Sequence, residues 1–87
     1  FSSSTLTGTQ LNRASLQGAC FDHADLTKAR LSFSNMMQAS FIGTCLTDAQ
    51  LSHSNLYAAT FVDNILSGLQ LQGAALEKTS LATRFSL

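Results

Sequence analysis

Several features that would point to a particular class of protein are missing from this sequence. It contains no proline and no tryptophan, and no apolar run approaches the roughly 20 residues that a membrane-spanning helix requires. Only 11% of the residues are charged, and five basic residues balance five acidic ones. This neutral balance argues against a nucleic acid, a membrane surface or a strongly charged substrate as the partner.

The start of the chain is also uninformative about targeting. Residue 1 is phenylalanine rather than methionine, and no basic segment precedes an apolar stretch as in a signal peptide. The 87 residues are enough for one domain. We therefore expect residues 1–87 to form a single domain that is a fragment or module of a larger protein.

What the sequence does contain is a repeat of five residues. Every fifth position from Phe1 to Leu81 is large and apolar, which gives 17 such residues without a gap. We call these the central residues. They are Phe1, Leu6, Leu11, Leu16, Phe21, Leu26, Leu31, Met36, Phe41, Leu46, Leu51, Leu56, Phe61, Leu66, Leu71, Leu76 and Leu81.

A second register of small residues lies two positions before the central one. It reads Ser4, Thr9, Ala14, Ala19, Ala24, Ala29, Ser34, Ala39, Thr44, Ala49, Ser54 and Ala59. A period of five fits neither regular element, since it winds around an α-helix and alternates between the two faces of a strand. The chain must therefore turn once per repeat so that both registers face one interior.

The spacing of phenylalanine predicts how many repeats make one coil. Among the central residues phenylalanine occurs only at Phe1, Phe21, Phe41 and Phe61, every 20 residues. If four repeats make a coil, these rings stack directly above one another. Coils then stack at the strand spacing of roughly 4.8 Å.

The pattern resembles the pentapeptide-repeat family, whose consensus is Ala, Asp or Asn, Leu and two variable residues. The best matches are Ala24-Asp25-Leu26-Thr27-Lys28 and Ser54-Asn55-Leu56-Tyr57-Ala58. The resemblance implies an all-β fold, a right-handed quadrilateral parallel β-helix with one repeat per side. We expect about four coils of 20 residues.

The repeat is clean over residues 4–61 and less regular over 62–87. Asn64 and Leu69 stand where a small inward residue belongs, and leucine there would overpack the interior. We expect a widened wall at this point or a side chain turned outward.

No residue cluster predicts catalysis, a metal or a cofactor. Cys20 and Cys45 fall on adjacent sides and different coils, too far apart for a disulfide, so we expect free thiols and a cytoplasmic or otherwise reducing compartment. His23 and His53 are one and a half coils apart and fall on opposite sides, which argues against a shared zinc site. We expect no enzymatic activity.

The resemblance leaves two kinds of function open. Some members of the family mimic duplex DNA with acidic faces and bind type II topoisomerases, but a neutral chain imitates DNA poorly. The alternative is a protein-binding or scaffolding solenoid, which includes the β-helix part of a bacterial effector acting inside a host cell. We favour protein binding, and the pattern leaves end-to-end or side-by-side self-association open.

One group of outward residues is a candidate binding surface. Taking outward positions every 20 residues brings apolar side chains around one edge of the predicted helix. We call Phe33, Met37, Ile42, Tyr57 and Val62 the apolar patch. The fold requires only that these residues face outward, so their apolar character predicts a protein partner, whose identity the sequence does not give.

Overall fold

A computed structural model describes residues 2–79, and within this range β pairing occurs at single residues. Residues 2–79 contain no α-helix and no strand longer than one bridging residue. Parallel bridges join positions that are 20 residues apart, as from Thr5 to Asp25 and from Asp25 to Cys45. Four repeats therefore make one turn of the chain, which is the register that the phenylalanine spacing predicted.

The bridging residues form four rows, which we call the sides. The first side contains Thr5, Asp25, Cys45 and Ile65, and the second contains Gln10, Arg30, Gln50 and Gln70. The third side contains Ser15, Asn35, Asn55 and Ala75, and the fourth contains Cys20, Ser40 and Thr60.

Successive coils are joined by a regular ladder of backbone hydrogen bonds. The amide of Leu26 donates to the carbonyl of Cys45 in the next coil at 2.8 Å. The amide of Asp25 donates in the other direction, to the carbonyl of Ser4 in the preceding coil at 2.9 Å. Because this pattern repeats on every side, most of the interior backbone groups are satisfied between coils.

The chain turns once per repeat, at a residue in the left-handed backbone region. Positive φ values of 55° to 73° occur at every fifth residue from Ser3 to Lys78, at eleven non-glycine residues and five glycines. The amide of Ala14 closes one such turn by donating to the carbonyl of Leu11 at 3.2 Å. A positive φ at the third residue of the turn is characteristic of type II geometry. We call these left-handed positions the corners.

The central residues fill the interior as predicted. Relative exposure is 0% at all seven positions from Leu26 to Leu56. The rings of Phe21 and Phe41 stack with centroids 5.1 Å apart, and those of Phe41 and Phe61 with centroids 4.7 Å apart. Phe1 and Leu81 lie outside the described residues.

The small register also faces inward, and its polar members are hydrogen bonded. Buried hydroxyls of Ser34, Thr44 and Ser54 donate to the carbonyls of Leu11, Phe21 and Leu31 in the preceding coil at 2.9, 2.6 and 2.6 Å. Each acceptor lies 23 residues before its donor. Small hydroxyl residues therefore replace alanine without leaving an unsatisfied polar group.

Asn64 lies in the less regular region of the repeat. Its side-chain amide donates to the carbonyls of Phe41 and Thr44 in the preceding coil, so a larger polar residue takes the place of a serine or threonine hydroxyl. Leu69 is not turned outward, because it is partly buried and packs against the core. Residues 80–87 of this region lie outside the described residues.

The corner geometry predicts opposite effects for two adjacent alanines. Ala58 occupies a corner at φ 59°, whereas Ala59 is buried in the small register. Ala59→Gly should lower the free energy of unfolding by about 1–2 kcal/mol through lost burial and added chain entropy. Ala58→Gly relieves left-handed strain and should leave stability unchanged or raise it by up to about 1 kcal/mol. Chemical denaturation measures both, and an equal loss in the two variants would contradict the assigned corners.

Candidate functional site

Three of the five positions in each repeat point outward: the row residue, the corner residue, and the residue between the central residue and the corner. Most of them are polar. Among the described residues, the large apolar side chains exposed to solvent are Phe33 (52%), Tyr57 (39%), Val62 (47%) and Ile65 (56%). Phe33, Tyr57 and Val62 belong to the apolar patch, whereas Ile65 lies outside it.

Phe33 is placed by the corner between the second and third sides. Its backbone is left-handed at φ 61°, and its ring lies between side chains of the neighbouring coils. The guanidinium carbon of Arg13 lies 4.8 Å from the ring centroid on one side. The ring of His53 stacks on the other side, with centroids 4.9 Å apart and an interplanar angle of 16°. We call Arg13, Phe33 and His53 the corner stack.

Glycine extends this arrangement by one coil. Gly73 follows His53 at the same corner with φ +73°, and a Cβ there would overlap Nδ1 of the His53 ring. Glycine at position 73 leaves the space that the imidazole occupies, and it adopts the left-handed backbone without the strain that a side chain adds. The same relation holds between Gly43 and His23 at the corner between the fourth and first sides.

Met37 and Tyr57 lie one above the other on successive coils, beyond the third side. The side-chain oxygens of Asn35 and Asn55 accept hydrogen bonds from their backbone amides at 3.2 and 3.0 Å. These asparagines cap the turn two residues ahead, a common role for this side chain. The backbones at Met37 and Tyr57 are thereby held in the same orientation.

Ile42 and Val62 form a second vertical pair, beyond the fourth side. The amide of Ile42 donates to Oδ1 of Asp22 in the preceding coil at 2.9 Å, and the Ser40 hydroxyl donates to the same oxygen. The hydrogen bond from Ser40, followed by that from the Ile42 amide, lowers the pKa of Asp22. The half-buried Ile42 thus lies beside a carboxylate, whereas Val62 is exposed.

The apolar patch is therefore two vertical pairs and one separate ring. Met37 and Tyr57 occupy equivalent positions one coil apart, and so do Ile42 and Val62. Among the described residues, the ring contacts of Phe33 are with Arg13 and His53 and not with Tyr57. Sequence reasoning missed Ile65, which is exposed in a row where the family consensus has a polar residue.

Polar contacts on the first side concentrate around Asp25 and Cys45. The hydroxyl and amide of Thr27 donate to Oδ1 of Asp25 at 2.6 and 3.1 Å, and the bond from the hydroxyl is the larger cause of a lowered pKa at Asp25. The Cys45 sulfur lies 3.4 Å from the hydroxyls of Thr27 and Thr47. These hydrogen bonds, that of Thr27 foremost, lower the pKa of the Cys45 thiol.

Both cysteines are free thiols, as predicted. His23 lies at the corner between the fourth and first sides, and His53 lies at the opposite corner, between the second and third sides, as the register predicted. Within residues 2–79, no three His, Cys, Asp or Glu side chains are grouped so that they could hold a metal ion. That part of the chain also has no helix long and apolar enough to cross a membrane.

Comparison with known proteins identifies the repeat. A family profile for pentapeptide repeats matches in eight copies, over residues 1–32, 19–56, 34–63 and 44–81. No curated protein sequence is similar enough to count as a match.

Solved structures of similar proteins agree with the profile. The chain is similar to HetL, a pentapeptide-repeat protein of Nostoc sp. strain PCC 7120, with 34% identity and a TM-score of 0.84 over 88% of this chain. It spans 36% of the length of HetL. Rfr23, a pentapeptide-repeat protein of Cyanothece 51142, has 23% identity and a TM-score of 0.53, with 87% of this chain and 57% of Rfr23 covered. This second likeness concerns the fold alone.

The hydrogen bonds to Asp25 predict a loss of stability in acid. A lowered pKa means that ionised Asp25 stabilises the folded state above the ordinary value of 3.8, and that this contribution is lost as pH falls through the lowered value. Asp25→Asn keeps an oxygen acceptor for Thr27 but does not titrate. The melting temperature of the natural chain should therefore fall more steeply below pH 3.8 than that of Asp25→Asn.

Circular dichroism melts at a series of pH values measure this difference. Asp63→Asn is the matched control, because it removes one carboxylate to which no described residue donates a hydrogen bond. Parallel curves for the natural chain and Asp25→Asn would show that Thr27 does not stabilise the carboxylate.

Proposed function

Because the chain belongs to the pentapeptide-repeat family, we propose that it is a non-enzymatic protein-binding or scaffolding module. Proteins of this family are right-handed β-helices and are generally non-enzymatic. We assign the same handedness to this chain, with about four coils over its 87 residues. The partner is a protein that contacts the apolar patch.

One observation carries the proposal, which is the exposure of large apolar side chains on a polar surface. Phe33, Tyr57 and Val62 are 52%, 39% and 47% exposed at positions that the fold leaves unconstrained. A serine or glutamine at any of them would satisfy the same backbone, as it does in neighbouring repeats. Single exposed apolar residues are common in soluble proteins, but Met37 with Tyr57 and Ile42 with Val62 occupy equivalent positions on successive coils.

The size of the module limits the strength of the contact. Four coils stacked at roughly 4.8 Å give a side about 19 Å tall. A standard stable interface needs about 800 Å² from each partner, which is more than one such side offers. The apolar patch extends over three corners, from Phe33 between the second and third sides to Val62 between the fourth and first, rather than around one edge. A partner that contacts all of it must wrap around the third and fourth sides, and a partner that contacts one corner must bind weakly.

The similarity to HetL supports a regulatory role for such binding. HetL is involved in the regulation of heterocyst differentiation. Since the present chain spans only 36% of HetL, the common part is the repeat scaffold and the partners need not be shared.

Binding through the apolar patch predicts that polar substitutions there separate binding from stability. Tyr57→Ser with Met37→Ser should shift the melting temperature by no more than other surface substitutions, within about 0.5 kcal/mol. The same variant should lose partners that the natural chain retains in an affinity pull-down. Tyr57 is the expected anchor, because it combines a large apolar ring with a hydroxyl that tolerates water.

Ile65→Ser is the matched control, since Ile65 is at least as exposed (56% against 39% for Tyr57) but lies on the first side, away from Tyr57. A partner identified by mass spectrometry is then titrated as the purified protein against all three forms. Equal retention by the natural chain and the double variant would remove the apolar patch as a binding surface. A large loss of stability with binding intact would show that Tyr57 and Met37 pack within the module.

A further inference from the structure

The 20-residue register sorts the charges by side although the net charge is zero. Of the four basic residues in the described range, three lie on the second side or at its two corners: Lys28, Arg30 and Arg13. Three acidic residues, Asp22, Asp25 and Asp63, lie on the first side or at the corner that precedes it, and Asp48 lies with Lys28 at the corner that the two sides share. The second side with its two corners therefore has a net charge of +2 (three cations less Asp48), and the first side with its preceding corner has a net charge of −3.

The cations of the second side are exposed and lack carboxylate partners. Residues 2–79 contain no ion pair that involves Arg13, Lys28 or Arg30. Asp48 follows Lys28 at the same corner, but its carboxylate leans over Gly68 in the next coil, away from Lys28. These cations are thus available to an anionic ligand at the cost of little rearrangement.

The surroundings of these cations suit an extended peptide. Arg30 pairs in its row with Gln10 and Gln50, whose amides can donate to and accept from a peptide backbone. The guanidinium of Arg13 lies over the Phe33 ring, and because the Arg13 side chain is exposed it can also bind a carboxylate. Phe33 itself belongs to the apolar patch and offers an apolar contact at the border of the second side.

We propose that the second side and the corner stack bind an acidic, extended segment of the partner protein. Its carboxylates contact Lys28, Arg30 and Arg13, and an apolar side chain rests against Phe33. This inference rests on the proposed protein-binding function and specifies the chemistry of the partner. Duplex DNA fits less well, because it carries one charge per roughly 1.7 Å and would extend over Asp48 and the acidic first side.

A labelled peptide in which glutamate alternates with phenylalanine is the probe, and fluorescence anisotropy measures its affinity for the folded chain. Arg30→Gln removes one charge and introduces the residue that the same row has at positions 10 and 50, so the fold should be retained. Lys78→Gln makes the same change in net charge at the corner between the third and fourth sides. Arg30→Gln should weaken binding at least about threefold, in the range of one exposed ion pair, and Lys78→Gln should not.

Equal weakening by the two variants, or no binding of the peptide at low salt, would overturn the inference. If duplex DNA binds more tightly than the peptide and Arg30→Gln abolishes that binding, the second side is a nucleic-acid site instead. If sedimentation shows self-association and Arg30→Gln abolishes it, the second side binds the acidic side of a second copy of the chain instead.

The apolar-patch variant separates this inference from the proposed function. If the peptide binds normally to Arg30→Gln while Tyr57→Ser with Met37→Ser loses the partner, the basic site is wrong and protein binding stands. If Arg30→Gln alone weakens the peptide and the patch variant keeps every partner, the basic site stands and the patch is wrong.

Discussion

The structure depends on one backbone constraint, which is that every fifth residue adopts a left-handed conformation. Sixteen successive corners do so between Ser3 and Lys78, eleven of them without glycine. Each non-glycine corner costs about 1–2 kcal/mol of conformational free energy, so the interactions that the turns allow must compensate for it. They fold four short sides into each coil, align successive coils for parallel hydrogen bonding, and bring every central residue to one interior.

The narrow interior and the polar side chains next to the corners follow from that constraint. A coil of four repeats leaves room for one large residue and one small residue per side. Equivalent residues of successive coils lie one strand spacing apart, which is why the rings of Phe21 and Phe41 stack with centroids 5.1 Å apart. Hydroxyls that enter the small register donate to carbonyls of the preceding coil. Asp25, Asn35 and Asn55 cap the following turn through their side-chain oxygens. The Asp or Asn of the repeat therefore stabilises the corner, and the residues at the variable positions are free to specify a partner.

The backbone register could be predicted from the sequence, but the exposed side-chain contacts could not. The period of five and the spacing of phenylalanine indicate which side chains face inward. The backbone conformation alone is enough to point a central residue such as Leu46 into the interior. The same spacing places Arg13, Phe33 and His53 in one column, but their stacking depends on side-chain rotamers that periodicity does not determine. The hydrogen bonds of the Asn64 amide and the exposure of Ile65 could not be predicted either. Each residue differs from the type that its position in the repeat predicts. The uneven distribution of charge over the sides was not apparent from the net charge, which is zero.

Backbone dihedral angles in solution test the central claim most directly. Scalar couplings measured by NMR on isotope-labelled protein give the sign of φ at non-glycine corners such as Arg13, Lys28, Phe33 and Gln38. We expect φ near +60° at all four, with negative values at the central residues between them. Negative φ at these corners would show that the chain does not turn every fifth residue, and the four sides and both proposed surfaces would be lost with it.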